Sequence, residues 1–207
     1  MLVDRINTLS RKLPTWVVYM VCLLPVPWLL YLAQTGGLGR EPIKALEHEL
    51  GELALQLLIA GLAITPLRRY LEINLIRFRR AIGLLAFTYV SLHLAVWVFL
   101  DMNFLWSQMW QDIWKRPYIT VGMASFLALV PLALTSNNLS VRKLGAATWR
   151  KLHKLTYIAV LLGGVHFLWL VKGFQIEPIL YMTAILVLLA LRLPIAQKRS
   201  VTARLSK

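Results

Sequence analysis

Residues 149–172 read WRKLHKLTYIAVLLGGVHFLWLVK, and this stretch decides how the chain is interpreted. It combines a basic start, a long apolar run, a central pair of glycines, and two histidines, His153 and His166. The whole chain holds only four histidines. Ionisable side chains inside a bilayer are expensive, and by default they mark a functional site. Two histidines on one apolar segment therefore need a chemical explanation.

The composition of the chain is that of an integral membrane protein. Hydrophobic residues make up 58% of the 207 residues and charged residues 15%, whereas soluble domains carry about 25% charged residues. Mean hydropathy is +0.64, and the apolar residues form long runs. The net charge of +14 does not indicate nucleic-acid binding. Lys and Arg lie in short clusters between the apolar runs, which is typical of membrane topology and of attraction to anionic lipid headgroups.

Six segments predict membrane-spanning helices, since a span needs about 20 apolar residues with a usual range of about 17–25. They are residues 14–33, 50–66, 81–100, 118–135, 152–171 and 179–193. Pro66 is predicted to end the second helix, and the short connections favour a compact bundle. We therefore expect an all-α integral membrane protein, a six-helix transmembrane bundle in which residues 1–207 form one domain.

The positive charges are distributed unequally between the two sides of these spans. Eighteen of the 23 Lys and Arg residues fall on the side that holds both termini, and five fall on the other side. Because positively charged loops stay in the cytoplasm, this bias predicts that both termini of the multi-pass chain are cytoplasmic.

Two intramembrane histidines are predicted to lie at the same depth. His93 lies thirteen residues beyond Arg80, and His166 lies thirteen residues beyond His153, on spans that run in the same direction. At 1.5 Å per residue each offset is about 19.5 Å, so His93 and His166 reach the same depth if Arg80 and His153 mark the inner boundary of the membrane. Two imidazoles at one depth can clamp a planar haem between them and leave its iron no open coordination site. The spacing therefore predicts an electron-carrying haem held by His93 and His166.

The remaining histidines leave alternatives open. Thirteen residues leave a net rotation of about 220°, so His153 and His166 do not share a face of an ideal helix. His153 is a haem-ligand candidate if a kink near Gly163 and Gly164, helix tilt or fraying at His153 re-aims it, and otherwise it serves another role. The glycine pair itself suits close approach to a macrocycle or close helix packing. His48 is either a haem ligand or a solvated loop histidine. For His93 and His166, the alternatives to haem ligation are burial with hydrogen bonds to the protein or a role in a proton relay.

Three tryptophans are spaced to share one helical face in the loop between the third and fourth spans. Trp106, Trp110 and Trp114 recur every four residues. The pattern is typical of an interfacial helix with its aromatic rings at headgroup level. A docking surface for a partner on the outer side is the alternative.

Short motifs along nearly the whole chain carry a family resemblance. They are GGLG at 36–39, His48, LIR at 75–77 with Arg79 and Arg80, His93, RPY at 116–118, RKLG at 142–145, Trp149 with Leu152 and His153, and HFLW at 166–169 with Lys172. In this order and spacing the chain resembles the MsrQ/YedZ family. These proteins are haem-binding membrane subunits of bacterial periplasmic protein-methionine-sulfoxide reductase systems, within the ferric-reductase-like transmembrane group.

The resemblance implies a function, cofactors and partners. It implies a b-type cytochrome of the inner membrane with one or two haems, ligated by His93, His153 and His166, and a bound flavin mononucleotide (FMN). Electrons would come from a cytosolic flavin reductase or the quinone pool. They would leave to a periplasmic molybdopterin-containing subunit that reduces methionine sulfoxide and so repairs oxidised proteins. The chain itself would carry no catalytic residue for that final substrate.

The resemblance leaves some assignments open. A second histidine on the third span is absent, and so is a flavin–nicotinamide domain, so we expect no direct hydride transfer from a nicotinamide. Arg77, Arg79 and Arg80 either contact haem propionates, flavin phosphate or a soluble reductase, or only set the topology. The alternative functions are a stand-alone ferric or cupric reductase and a small proton-relaying transporter.

Overall fold

The computed structural model describes residues 2–171 and 173–192, and the regular structure of these residues is helical. Lys172 and the basic tail with Lys198, Arg199, Arg204 and Lys207, which the charge count used, lie outside the described residues. The α-helices are α1 (Leu2–Lys12), α2 (Thr15–Leu23), α3 (Pro25–Thr35), α4 (Pro42–Tyr70), α5 (Arg79–Val96), α6 (Trp106–Lys115), α7 (Pro117–Leu134), α8 (Asn138–Leu144), α9 (Ala146–Leu152), α10 (Leu155–Leu170) and α11 (Ile176–Ala190).

Five helical stretches in the described residues are long and apolar enough to cross a membrane. They are Thr15–Thr35, Pro42–Tyr70, Ile76–Asp101, Pro117–Leu134 and Ala146–Leu170. Each contains most of one of the first five predicted spans. The sixth predicted span corresponds to the apolar helix α11, which has 15 residues and is shorter than the usual span. Its predicted last residue, Leu193, lies outside the described part of the chain.

The core of the bundle is built on two packed helix pairs, α4 with α5 and α7 with α10. Between them lies a cluster of fully enclosed apolar side chains. It includes Leu62, Ala86, Val160 and Ile185, each with at most 1% of its surface exposed. Small residues let the helices approach closely. The outer faces of α7 and α10 expose large apolar side chains, among them Leu127, Ile158 and Leu168, as expected for surfaces that contact lipid.

The bundle has two chemically different ends. We define the histidine end by the start of α4, helix α6, the start of α7 and the end of α10. We define the basic end by α1, the end of α4, the start of α5, and α8 and α9. At the basic end the Asn7 amide bonds the Glu72 carbonyl oxygen at 3.0 Å, and the Tyr70 hydroxyl bonds that of Leu191 at 3.3 Å. These bonds hold α1 and α11 against the end of α4.

Helix α4 is longer at both ends than the sequence predicted. The prediction that Pro66 ends it is wrong, because the helix continues to Tyr70. Proline has no N–H, so it leaves the carbonyl four residues earlier, that of Leu62, without its helical donor. The Arg192 guanidinium supplies the donor instead, with Nε 3.1 Å and Nη2 2.5 Å from the Leu62 carbonyl oxygen. A side chain that follows the end of α11 therefore replaces the missing hydrogen bond.

The predicted fifth helix, residues 152–171, is divided in the structure. Helix α9 ends at Leu152, and α10 begins at Leu155, so His153 lies in the turn between them. The net rotation of about 220° between His153 and His166 was derived for one straight helix. The break lies at His153, where fraying was one of the expectations, and not at the glycine pair. His153 lies at the basic end of the bundle.

Helix α6 has the face that the tryptophan spacing predicted. Trp106, Trp110 and Trp114 are each at least 63% exposed, while Met109 and Asp112 on the neighbouring face are buried against the bundle. Asp112 pairs with Arg116 at 3.5 Å. An amphipathic helix of this kind at the end of a membrane bundle is typical of the membrane interface.

Candidate haem-binding site

The rings of His93 and His166 face each other across the bundle. His93 lies near the end of α5 and His166 near the end of α10, so both belong to the histidine end. Their ring centroids are 6.2 Å apart and their planes cross at 77°. The two side chains that share a predicted depth are therefore brought together in space.

Each of these imidazoles is held by one backbone carbonyl. His93 Nδ1 lies 2.8 Å from the carbonyl oxygen of Glu47 on α4, and His166 Nδ1 lies 2.7 Å from that of Tyr118 on α7. A carbonyl oxygen only accepts hydrogen bonds, so each Nδ1 must donate. A neutral imidazole with its proton on Nδ1 has its lone pair on Nε2. Both rings are thus oriented and carry the tautomer that ligates metal through Nε2.

The distance between the rings fits two imidazoles on one metal. A metal–nitrogen bond of about 2.0 Å, with a ring centroid about 1.1 Å beyond each nitrogen, gives a separation of about 6.2 Å. Among the described residues, no group of three or more His, Cys, Asp or Glu side chains is arranged to hold a metal ion. The pair therefore suits an iron whose other ligands come from a macrocycle, as in haem.

Two glycines, which the sequence analysis did not single out, make room for the imidazoles. A Cβ on Gly51 would lie 3.0 Å from His93 Nδ1, and a Cβ on Gly122 would lie 2.7 Å from His166 Nδ1. Both distances are shorter than ordinary van der Waals contact. A side chain at either position would therefore press on the imidazole ring, which the backbone carbonyl four residues earlier orients.

The same local arrangement occurs twice. In each helix the carbonyl acceptor comes first, at Glu47 or Tyr118, and the glycine follows four residues later on the same face. The signal in the sequence was therefore a glycine inside a predicted helix. It could be interpreted only once the facing histidine was known.

The glycine pair, expected to suit close approach to a macrocycle or close helix packing, lies against neighbouring helices. A Cβ on Gly163 would meet Leu55 and Ser125 at 3.6 Å, and one on Gly164 would lie 2.7 Å from Ile185 Cδ1. These neighbours belong to α4, α7 and α11. Of the two expectations for this pair, the structure supports close helix packing.

His153 lies apart from the histidine pair, at the basic end. Its ring stacks on Trp149, with centroids 3.8 Å apart, and its Nε2 lies 3.2 Å from the Thr135 hydroxyl oxygen. Trp149 Nε1 donates to the Thr135 carbonyl oxygen at 2.9 Å. These contacts join α7 to α9. The role of His153 as an axial ligand stays a prediction.

His48 lies on α4 instead of in a loop, because the helix begins at Pro42. It is exposed and near enough to His93 and His166 to interact with them electrostatically. The structure therefore places it beside the histidine pair, with a haem role that stays a prediction.

The three predicted basic residues lie at the opposite end from the histidine pair. Arg77 Nη1 donates to the carbonyl oxygens of Ser10 at 3.0 Å and Arg11 at 2.5 Å, and Arg80 Nη1 donates to Asn138 Oδ1 at 3.1 Å. Arg79 is near enough to His153 to interact electrostatically. Along α5, Arg80 and His93 are separated by about 19.5 Å. Any cofactor contact by these arginines therefore belongs to the basic end.

The comparisons with known proteins agree on the family to which the chain is similar. The profile of the family described as "Ferric reductase like transmembrane component" matches residues 47–164. The chain is 47% identical over 178 residues to a protein-methionine-sulfoxide reductase heme-binding subunit MsrQ of Agrobacterium fabrum, covering 86% of this chain and 82% of the relative. The MsrQ of Caulobacter vibrioides is also 47% identical over 178 residues, with 86% and 85% covered. That of Brucella anthropi is 45% identical over 191 residues, with 91% and 86% covered.

Proposed function

The chain belongs to the MsrQ family, within the ferric-reductase-like transmembrane group, and on that premise we propose that it is a b-type cytochrome serving a methionine sulfoxide reductase. It is a multi-pass membrane protein. Electrons enter from a cytosolic flavin reductase or from the quinone pool. They leave to a periplasmic molybdopterin-containing subunit that reduces methionine sulfoxide in oxidised proteins. The membrane is the bacterial inner membrane, the basic end faces the cytoplasm, and the charge bias of the sequence puts both termini on that side.

The observation that carries this proposal is the pair formed by His93 and His166. Their separation of 6.2 Å and their two carbonyl-bonded Nδ1 atoms suit ligation of one haem iron through both Nε2 atoms. A haem held in this way supplies one-electron redox chemistry without an open site at iron. The protein supplies the axial ligands, their tautomer and an apolar surrounding.

The basic end is proposed as the side where electrons enter from the cytoplasm. His153 and Trp149 stack there, and Arg79 lies near them. A second haem on His153, or an FMN whose phosphate contacts Arg77, Arg79 or Arg80, would occupy this end. About 20 Å of bundle separates it from the histidine pair, as measured along α5. With one cofactor at each end, electrons would cross the membrane by way of both cofactors.

Two measurements on the purified protein in detergent test the proposal. The reduced-minus-oxidised absorption spectrum should show a b-type haem signature. Oxidation of the reduced protein should then follow the addition of the periplasmic subunit together with a peptide that contains methionine sulfoxide. A folded, haem-supplied protein without a b-type spectrum would overturn the proposal. A haem that the reductase subunit cannot oxidise would remove the proposed acceptor.

A further inference from the structure

A groove at the basic end lies between α1 and the turn Ile76–Phe78, which directly precedes α5. Its volume is about 570 Å³, which is within the range of about 300–1,000 Å³ found for ligand pockets. Ile6 and Leu9 line it from α1, and Leu75 and Phe78 line it from the segment before α5. The walls of the groove are therefore mainly apolar.

The groove lies at the level where two membrane spans begin. Leu13 and Pro14 also line it, and they directly precede the span Thr15–Thr35. Phe78 belongs to the first turn of the span Ile76–Asp101. The ends of spans lie at the membrane–water interface. A groove at this level borders both the headgroups of the lipids and the start of their acyl chains.

Helix α1 is amphipathic, and part of its apolar face is open. Leu2, Ile6 and Leu9 recur with helical spacing, whereas Arg11 and Lys12 supply positive charge in the last turn. Leu2 and Leu9 are 73% and 66% exposed. A basic amphipathic helix of this kind is typical of the membrane surface. Because Leu9 also lines the groove, a molecule that covers Leu9 there occupies the groove.

Two cations border the groove. Lys12 is one of its lining residues. Arg77 Cζ lies 5.3 Å from the ring centroid of Phe78, and Arg77 Nη1 donates to the Ser10 carbonyl oxygen at 3.0 Å. Phe78 and Ser10 both line the groove, so the Arg77 guanidinium lies at its edge.

Both positive charges are available to an anion. Among the residues that the structure describes, neither Lys12 nor Arg77 forms an ion pair with a carboxylate. The two bonds from Arg77 to carbonyl oxygens in this part of the chain both use Nη1. The N–H groups on its Nε and Nη2 are thus left for another acceptor.

The chemistry of the groove selects its ligand. The apolar walls suit an acyl chain, and the Lys12 ammonium with the Arg77 guanidinium suits a phosphate. A headgroup that carries its own ammonium would meet like charge. A soluble phosphate would leave the apolar walls in contact with water. A phospholipid whose headgroup has a net negative charge meets all of these conditions.

We propose that this groove binds one anionic phospholipid, whose phosphate contacts Lys12 and Arg77 and whose acyl chain lies along Leu9 and Leu75. The lipid comes from the leaflet at the basic end, and it joins α1 to the segment before α5. Negative surface charge is a property of the cytoplasmic leaflet, which is the side proposed for this end. The site lies at the opposite end from the histidine pair and does not depend on haem.

Native mass spectrometry of the delipidated full chain in detergent tests the proposal. Phosphatidylglycerol and phosphatidylcholine with identical acyl chains are titrated separately. The first phosphatidylglycerol should bind roughly twentyfold more tightly, because each of two cations at a membrane surface contributes about fivefold. Lys12→Gln should weaken it roughly fivefold, because one of these charges is lost. Leu9→Trp fills the groove and keeps both charges, and it should weaken binding roughly tenfold by displacing the acyl chain.

Two matched variants on the same helix serve as controls. Arg5→Gln removes a positive charge and Leu2→Trp adds an indole, and both positions lie outside the groove lining. Both variants should bind the first phosphatidylglycerol within twofold of the unmodified protein. Phosphatidylglycerol should also raise the thermal unfolding midpoint of the unmodified protein and of both controls. The midpoint of Leu9→Trp should respond much less, although without lipid it should equal that of Leu2→Trp.

A phosphatidylglycerol with a diazirine on its acyl chain locates the site. In nanodiscs of phosphatidylcholine it should label α1 and residues 75–78. Leu9→Trp should abolish this labelling, and Leu2→Trp should not. Labelling confined to other helices would overturn the proposed site.

Other outcomes would also overturn the proposal. Equal affinity for the two lipids, or equal weakening by Lys12→Gln and Arg5→Gln, would show only a general attraction to surface charge. Competition by glycerol 1-phosphate at the concentration that phosphatidylglycerol needs would show that a phosphate group binds without an acyl chain. A dimer that Leu9→Trp disrupts and Leu2→Trp does not would assign the groove to a second copy of the chain.

Discussion

His166 Nδ1 lies 2.7 Å from the backbone carbonyl oxygen of Tyr118, although 48 residues separate the two in the chain. The bond joins α10 to α7 and fixes which ring nitrogen of His166 carries the proton. His93 has the same relationship to Glu47, so one device orients both imidazoles. Every residue has a backbone carbonyl, so the residue types in the sequence do not reveal which carbonyls accept these hydrogen bonds.

Removal of either facing imidazole should remove the haem that the pair holds. We expect His93→Ala and His166→Ala each to lose most of the haem at this site, because one axial ligand cannot replace two. Haem per polypeptide and the reduced-minus-oxidised spectrum measure the effect. Full haem content with an unchanged spectrum in both variants would show that the pair is not the ligand set.

The other two histidines should behave differently from the pair. His153 lies at the opposite end, so His153→Ala should retain the spectrum of the haem at the histidine pair. Exposed His48 should also be replaceable by Ala without loss of that haem. The same two measurements apply, and a complete loss of haem in either variant would contradict the placement described here.

The glycines beside the imidazoles should tolerate no methyl group. Gly122→Ala places a Cβ 2.7 Å from His166 Nδ1, and Gly51→Ala places one 3.0 Å from His93 Nδ1. We expect both to reduce haem occupancy and to change the electron paramagnetic resonance g-values of the ferric haem. Gly122→Ala should have the larger effect, because its contact is shorter.

Gly83 provides a control for the glycine variants on the same helix as His93. A Cβ there would meet nothing within 4 Å. Gly83→Ala should leave the haem spectrum unchanged and stabilise the helix by up to about 1 kcal/mol. If Gly51→Ala and Gly122→Ala gave the same spectra as Gly83→Ala, the glycines would have no role in orienting the ligands.

Arg192 and Pro66 should be energetically coupled. Arg192→Ala leaves the Leu62 carbonyl without a donor, which should cost about 1–3 kcal/mol in the free energy of unfolding. Pro66→Ala restores an N–H four residues after Leu62, so it should recover part of that loss in the double variant. Thermal unfolding of all four proteins in detergent measures the coupling. An equal penalty for Arg192→Ala with and without Pro66 would refute it.

Arg77 should hold the first helix against the bundle. Its guanidinium donates to two carbonyl oxygens at the end of α1, those of Ser10 and Arg11, which have no donor within the helix. Arg77→Ala should therefore increase trypsin cleavage after Arg11 and Lys12 by roughly tenfold and leave the haem spectrum unchanged. Arg5→Ala removes the same charge from exposed α1 and should not accelerate cleavage. Equal cleavage rates in both variants would argue against the clamp.

Much of the fold followed from local properties of the chain. Helix rise and hydropathy depend on neighbouring residues, so five of the predicted spans coincide with helices of suitable length and composition. The prediction at Pro66 failed because the compensating donor, Arg192, comes from a distant part of the chain. Helix-propensity rules describe the hydrogen-bond donor that a proline removes. They contain no information on a donor that a distant residue supplies.

The sequence by itself determined that the chain spans a membrane and that His93 and His166 lie at one depth, since both follow from residue type and a constant rise per residue. Only the tertiary structure decided that the two rings face each other, which nitrogen each leaves for a metal, and that Gly51 and Gly122 border them. It also decided that His153 lies in a turn between two helices and stacks on Trp149. Depth is a property of one helix, whereas rotation and contact depend on how helices pack against one another.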